Sequence, residues 1–292
     1  MVKIYICLVI GIISISLAAI FAKFCNEVSS TMIATYRMGI SAFLLCLIFP
    51  FNKTKTINLL NKKNILMCFL SGIFLSMHFI FWFTSIKLTN IASSVVLVTT
   101  SPIFLGIISK FILKKQIPRK IVAGILLSFI GTILITQSDS NIFDKINTDI
   151  LFGDLMALLG SLMASLYLLI GGIQRTRQTT FEYILLTYSF SAITLIILSV
   201  FLDIPFTGYG KEAYLFLILL AIIPQLLGHT IFNYSLKHLS PESVAITILG
   251  EPVGASILAY FIFDEKLQAL QIIGIVLILY SIILATKTEL TH

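Results

Sequence analysis

The chain has 292 residues, of which 58% are hydrophobic and 11% charged, with a mean hydropathy of +1.04 and a formal net charge of +7. Soluble domains run at about 45–50% apolar and about 25% charged, so a soluble globular protein is excluded. The positive balance does not indicate nucleic acid, because the basic residues lie in short loops beside apolar segments, where they act as topological signals.

Apolar stretches of about 18–24 residues, enough to cross about 30 Å of hydrocarbon, predict ten spans. In chain order they are 4–23, 31–50, 65–86, 92–113, 119–137, 150–171, 181–202, 213–236, 242–263 and 267–286. The first begins almost at Met1 and lacks a small-residue cleavage site, so it reads as a membrane helix rather than a cleavable signal. The longest connections are 51–64, with four lysines, and 138–149, with three aspartates. Cys7, Cys25, Cys46 and Cys68 lie in or beside apolar segments without a Cys-x-x-Cys pair, and read as small buried residues rather than metal ligands or a disulfide framework.

Lysine and arginine bias orients the spans. With a cytoplasmic N-terminus, cytoplasmic loops hold 14 basic residues and the opposite side 5, Arg37 being inside a span. Both termini are therefore expected in the cytoplasm.

The second half repeats the first at an offset of 150 residues. Ser85, Lys87, Ser93, Pro102 and Gly124 recur as Ser235, Lys237, Ser243, Pro252 and Gly274, and 13 of 52 pairs are identical over residues 85–136. Five spans per half is an odd number, so the halves enter the bilayer from opposite sides. The expected fold is an all-α membrane protein of ten transmembrane helices in two inverted five-helix repeats. Residues 1–137 form the first repeat, 138–149 an external linker and 150–292 the second repeat. The loops agree: Lys114 to Lys120 is basic, whereas Asp264-Glu265-Lys266 is mildly acidic. Inverted repeats are the usual scaffold of secondary transporters, with the solute site at the midplane where helices are broken.

Helical spacing sorts the polar residues onto faces. Ser243, Thr247 and Glu251 make one stripe, and Gln225, His229 and Asn233 another. His78, Trp82 and Ser85 share a third face. Ser93, Leu97 and Ser101 are the mates of Ser243, Thr247 and Glu251, and Asp154, Ser161 and Ser165 lie on one side of the sixth span. Such stripes face other helices or a water-filled cavity rather than lipid, which predicts a central cavity walled by spans one, three, four, six, eight and nine.

Glu251 stands out, since a charge at the bilayer centre costs roughly 2.5–3.5 kcal/mol on insertion scales. Desolvation makes it protonatable. It reads either as a substrate or proton site, or as a helix pin bonding backbone freed by Pro252. Pro102 and Pro252 should kink spans four and nine, as hinges or as simple bends. Arg37 reads first as structural, its stem snorkelling to the interface, and otherwise as the partner of a carboxylate or an anionic solute. His78 and His229 fall at nearly equivalent repeat positions, as packing residues or as a relay or solute contact. Trp82, the only tryptophan, could stack on a cationic or aromatic solute or anchor at an interface.

The chain resembles the EamA type of the drug/metabolite transporter superfamily. Leu249-Gly250-Glu251-Pro252-Val253 through Phe263-Asp264-Glu265-Lys266-Leu267 to Gly274 is similar to the family's Glu-Pro, Gly-Glu-(basic)-Leu and Gly pattern, with Asp264 where glycine is usual. Ala92-Ser93 to Pro102 is the matching stretch of the first half, with Lys115 in place of an acidic residue. Thr35-Tyr36-Arg37 resembles the family's arginine early in the second helix, and Thr187-Tyr188-Ser189 its counterpart. The resemblance implies a solute carrier of a bacterial cytoplasmic membrane. The fold serves amino acids, amines, nucleotide-linked compounds and other metabolites.

The expected function is secondary transport of a small metabolite, such as an amino acid or amine, by alternating access. Its partners are the solute, protons and the bilayer, and a homodimer is compatible; no cofactor or metal is called for. The rival readings are an intramembrane enzyme on lipid-linked substrates, which needs a paired acid/base or metal cluster, and a passive channel, which needs no proline hinges. No His-Glu-x-x-His, Gly-x-Ser-x-Gly or phosphate-loop motif is present.

Overall fold

A computed structural model describes residues 2–51, 61–89, 91–137, 148–263 and 267–290. Residues 138–147 of the predicted 138–149 linker, the acidic turn Asp264-Glu265-Lys266, and Lys53 and Lys55 of the 51–64 connection lie outside the described residues, while Thr148 and Asp149 are helical. Among the described residues the chain is helical with no strand.

Helix occupies each predicted stretch. We label the paths α1 (Val2–Ser16, then Ala18–Lys23), α2 (Ser30–Ile48), α3 (Lys62–Leu88), α4 (Ile91–Val98, Ser101–Ile107 and a π-helical turn, Ile108–Ile112) and α5 (Arg119–Gln137). The second half supplies α6 (Thr148–Gln174), α7 (Thr180–Phe201), α8 (Lys211–Leu220, a π-helical stretch Ala221–His229 and Thr230–Ser235), α9 (Pro241–Ile248, then Gly250–Phe263) and α10 (Ala269–Leu290). Eight helices among the described residues are long and apolar enough to cross a membrane. The remaining two paths are α5 and α9. The chain is a multi-pass membrane protein.

Polarity runs from inside to outside. Phe43, Ile112, Phe201 and Phe261 are strongly exposed, while Ser41, Ser71, Ser76, Thr187 and Ser191 are fully buried. Lipid tails give helices no hydrophobic reason to associate, so small residues and interhelical hydrogen bonds set the packing. Ser76 Oγ bonds Ser191 Oγ at 2.9 Å between α3 and α7, and Thr35 Oγ1 bonds Ser199 Oγ at 2.9 Å between α2 and α7.

The halves contact each other reciprocally. A Cβ on Gly131 of α5 would fall 2.8 Å from the Gly274 carbonyl of α10, and one on Gly124 would fall 3.5 Å from the Ser281 carbonyl. An offset of 150 turns Gly131 into Ser281 and Gly274 into Gly124, so one contact is the image of the other. Helix starts follow the same pattern. Ser29 Oγ accepts from Met32 N at the start of α2, and its mate Thr179 accepts from Glu182 N at the start of α7. At α7 the cap is a full box, because Glu182 also accepts from Thr179 N at 2.8 Å. Thr179→Ala is expected to cost about 1 kcal/mol, read as a lowered unfolding midpoint in detergent. An unchanged midpoint would show that the cap contributes nothing.

α4 and α9 break at matching residues. α4 stops at Val98 and resumes at Ser101; α9 stops at Ile248 and resumes at Gly250. Pro102 and Pro252 fall in the first turn of each second piece, where a missing N–H costs least. The expected kinks are thus full interruptions, with proline as the second piece's starter. Neighbouring serines bond the backbone where the second pieces begin: Ser165 Oγ of α6 donates to Ser101 O at 3.0 Å, and Ser16 Oγ of α1 donates to Glu251 O at 3.1 Å. Beyond the breaks, Ser109 Oγ on the π-helical turn of α4 donates to the buried Glu242 carboxylate at the start of α9.

Candidate functional site

The breaks open onto a cavity inside the bundle, walled by both halves. α1 gives it Ile15 and Ala18, α2 gives Arg37, and α3 gives His78, Phe79 and Trp82. Val98, Thr99 and Ser101 come from α4, and Ala164, Tyr167 and Leu168 from α6. His229 and Phe232 of α8 and Ala245, Ile248 and Glu251 of α9 complete the wall. The six predicted helices are all present, and α2 joins them through one side chain.

Arg37 is 1% exposed, so the snorkelling reading is corrected: the guanidinium points into the bundle. Burial of a cation demands partners. Its Nε donates to Gln225 Oε1 at 2.8 Å, and its guanidinium carbon lies 4.1 Å from the centre of the Phe79 ring. Nη1 has no hydrogen-bond partner. An unsatisfied buried donor costs about 1–3 kcal/mol, more when charged.

The π-helical stretch of α8 places Gln225. Pro224 removes a backbone donor there, and Ser41 Oγ of α2 donates to Ala221 O at 3.1 Å. Single π-helical turns recur at functional sites. The same stretch ends at His229, whose ring meets Phe79 edge-on at 5.5 Å. Phe79 thus links the arginine to the histidine. His78 donates from Nδ1 to Gly160 O at 2.9 Å, since a carbonyl only accepts. Its ring stacks on Trp82 with centroids 6.3 Å apart, and the Trp82 indole N–H is buried without a partner.

The Glu251 main-chain carbonyl accepts from Ser16 Oγ of α1. The side chain lines the cavity and is only partly buried.

Three predicted residues stand behind the wall. Gln225 holds Arg37. Asn233 accepts from Tyr167 OH at 2.8 Å and donates to Tyr188 OH at 3.2 Å. Thr247 donates to Ser243 O in its own helix. On α6 the serine stripe faces a neighbouring helix, Ser161 and Ser165 bonding Thr100 and Ser101 of α4. Phe79, Tyr167 and Phe232 were missed, because 23 phenylalanines and 10 tyrosines offer no signal that separates a wall residue from a lipid-facing one.

The sequence profile described as the EamA-like transporter family matches residues 2–137 and again residues 151–287. A Bacillus subtilis (strain 168) protein named uncharacterized transporter YyaM is 24% identical over 261 residues, spanning 87% of this chain and 83% of its own length. An Archaeoglobus fulgidus protein named uncharacterized transporter is 24% identical over 223 residues, covering 75% of this chain and 74% of its own. A solved crystal structure superimposes with a TM-score of 0.80 at 16% identity, over 98% of this chain and 97% of that one, which is a likeness of fold. With nearly all of its length inside the two matched stretches, the chain belongs to the EamA-like transporter family of the drug/metabolite transporter superfamily.

Proposed function

We propose that the protein is a secondary transporter of small metabolites, of the amino acid, amine or related kind, in a bacterial cytoplasmic membrane. Ten transmembrane helices form two inverted five-helix repeats, and rocking of the repeats exposes the central cavity to one side and then the other. Both termini face the cytoplasm. Protons move through Glu251, with His78 and His229 on the same cavity wall, and Pro102 and Pro252 mark the hinge points. The observation that carries this reading is one cavity, built from both halves and holding Arg37, Glu251 and two histidines, set where α4 and α9 break at matching residues. A passive channel has no use for paired breaks.

Counterflow in proteoliposomes tests the reading. Preloaded unlabelled amino acids or amines should drive saturable accumulation of the labelled compound. Flux that rises linearly without counterflow would mark a channel, and no flux of any solute class would sink the transporter reading.

Orientation is tested by cysteines placed in the 114–120 loop, which should label only from the cytoplasmic side. Native Cys25 should stay silent. Its thiol is pushed up to about 12, chiefly by burial, with Lys87 lowering it and Glu27 raising it, and the thiolate is the reactive form. Labelling of Cys25 in the folded protein at neutral pH would contradict its burial.

A further inference from the structure

We propose that the cavity recognises its solute by a carboxylate, which docks on the Arg37 guanidinium and the Trp82 indole N–H. The inference rests on the transporter reading above and names the chemistry of its solute.

Both residues line the same cavity, and each keeps one buried N–H without a partner. Neither group can accept a hydrogen bond, so the molecule that satisfies them brings acceptors. The guanidinium is already fixed on two sides, by Gln225 at Nε and by the Phe79 face. Two fixed sides pre-orient the guanidinium and leave Nη1 as its open donor for a carboxylate oxygen. Ile15, Ala18, Val98 and Leu168 supply an apolar wall, which suits a hydrocarbon body and not a second anionic group.

Charge balance narrows the solute further. Arg37 and Glu251 are the two formally charged side chains among the wall residues, with His78, His229 and Tyr167 as the other titratable groups. A bound carboxylate leaves one excess negative charge in a low-dielectric space. The excess is removed by an ammonium on the solute or by a proton on Glu251. A zwitterion and a monocarboxylate taken up with a proton share the same anionic contact.

Trp82 is the only tryptophan in the chain, so its fluorescence reports on the cavity alone. The purified full-length protein is titrated with two matched sets: leucine, isocaproate and isoamylamine; phenylalanine, hydrocinnamate and phenethylamine. At least one amino acid or acid should shift the emission saturably, while the corresponding amine does not. Arg37→Lys should weaken that binding by at least about tenfold, and Arg37→Gln should abolish it. Binding of the amino acid without the acid assigns the zwitterion. Binding of both, with the acid favoured as pH falls, assigns proton-linked monocarboxylate.

The proposal is overturned if an amine shifts the emission as well as its carboxylate mates, if no carboxylate in either set shifts it, or if monodisperse Arg37→Gln keeps carboxylate binding. The matched series on the unaltered protein decides the question should that variant fail to fold. An amine that moves in proteoliposomes while no carboxylate binds overturns the carboxylate site and leaves transport standing.

Discussion

Glu251→Gln is expected to slow transport by roughly 30-fold or more and to flatten its pH dependence. The figure corresponds to losing a cavity charge worth roughly 2–5 kcal/mol, with each 1.36 kcal/mol a factor of ten in rate. Glutamine keeps the side-chain shape and leaves the main-chain bond from Ser16 to Glu251 O untouched. The unfolding midpoint should therefore stay near that of the unaltered protein while flux falls. That pairing separates a chemical role from a structural one. Normal counterflow with an unchanged pH profile would remove Glu251 from the mechanism, and a collapsed midpoint would return it to a structural role.

The second large effect concerns stability. Gly274→Ala places a Cβ 2.5 Å from the Gly131 carbonyl and 3.0 Å from Ile135 N, and Gly131→Ala places one 2.8 Å from the Gly274 carbonyl. Backbone cannot swing aside as a flexible side chain can, so α5 and α10 must separate. Each change is expected to cost roughly 3 kcal/mol, read as a lowered midpoint or early aggregation in detergent. The double variant should cost less than the sum, since the first methyl already opens the crossing that the second needs. Gly39→Ala is the control, because nothing lies within 4 Å of its Cβ. If Gly274→Ala matches that control, the crossing is not tight.

Helix positions were legible because apolar length and loop charge are properties of the sequence itself. The faces were legible where a helix is continuous: on α3, a four-residue step carries both His78 and Trp82 to the cavity. They blurred where regularity stops. Thr247 and Glu251 fall on one stripe only if α9 is unbroken, and the interruption at Leu249 leaves Glu251 on the wall and Thr247 behind it. On α8, i→i+5 bonding lets a four-residue stripe drift, so His229 reaches the cavity while Gln225 turns to Arg37. The orientation of Arg37 needed the Phe79 ring and Gln225, whose approach depends on the tertiary fold.

The bond from Ser109 to Glu242 ties the π-helical turn of α4 to the start of α9. The 150-residue offset puts Ala259 and Ala92 at the mates of these two residues, and alanine offers no side-chain hydrogen bond. Glu242→Ala should raise labelling of a Thr99→Cys probe from the cytoplasmic side, and unchanged labelling would contradict the idea. In the alternating-access cycle proposed above, the exchanged pose has no counterpart of this clasp. On that proposal the clasp gives the empty cycle a default position, the pose in which Ser109 and Glu242 meet.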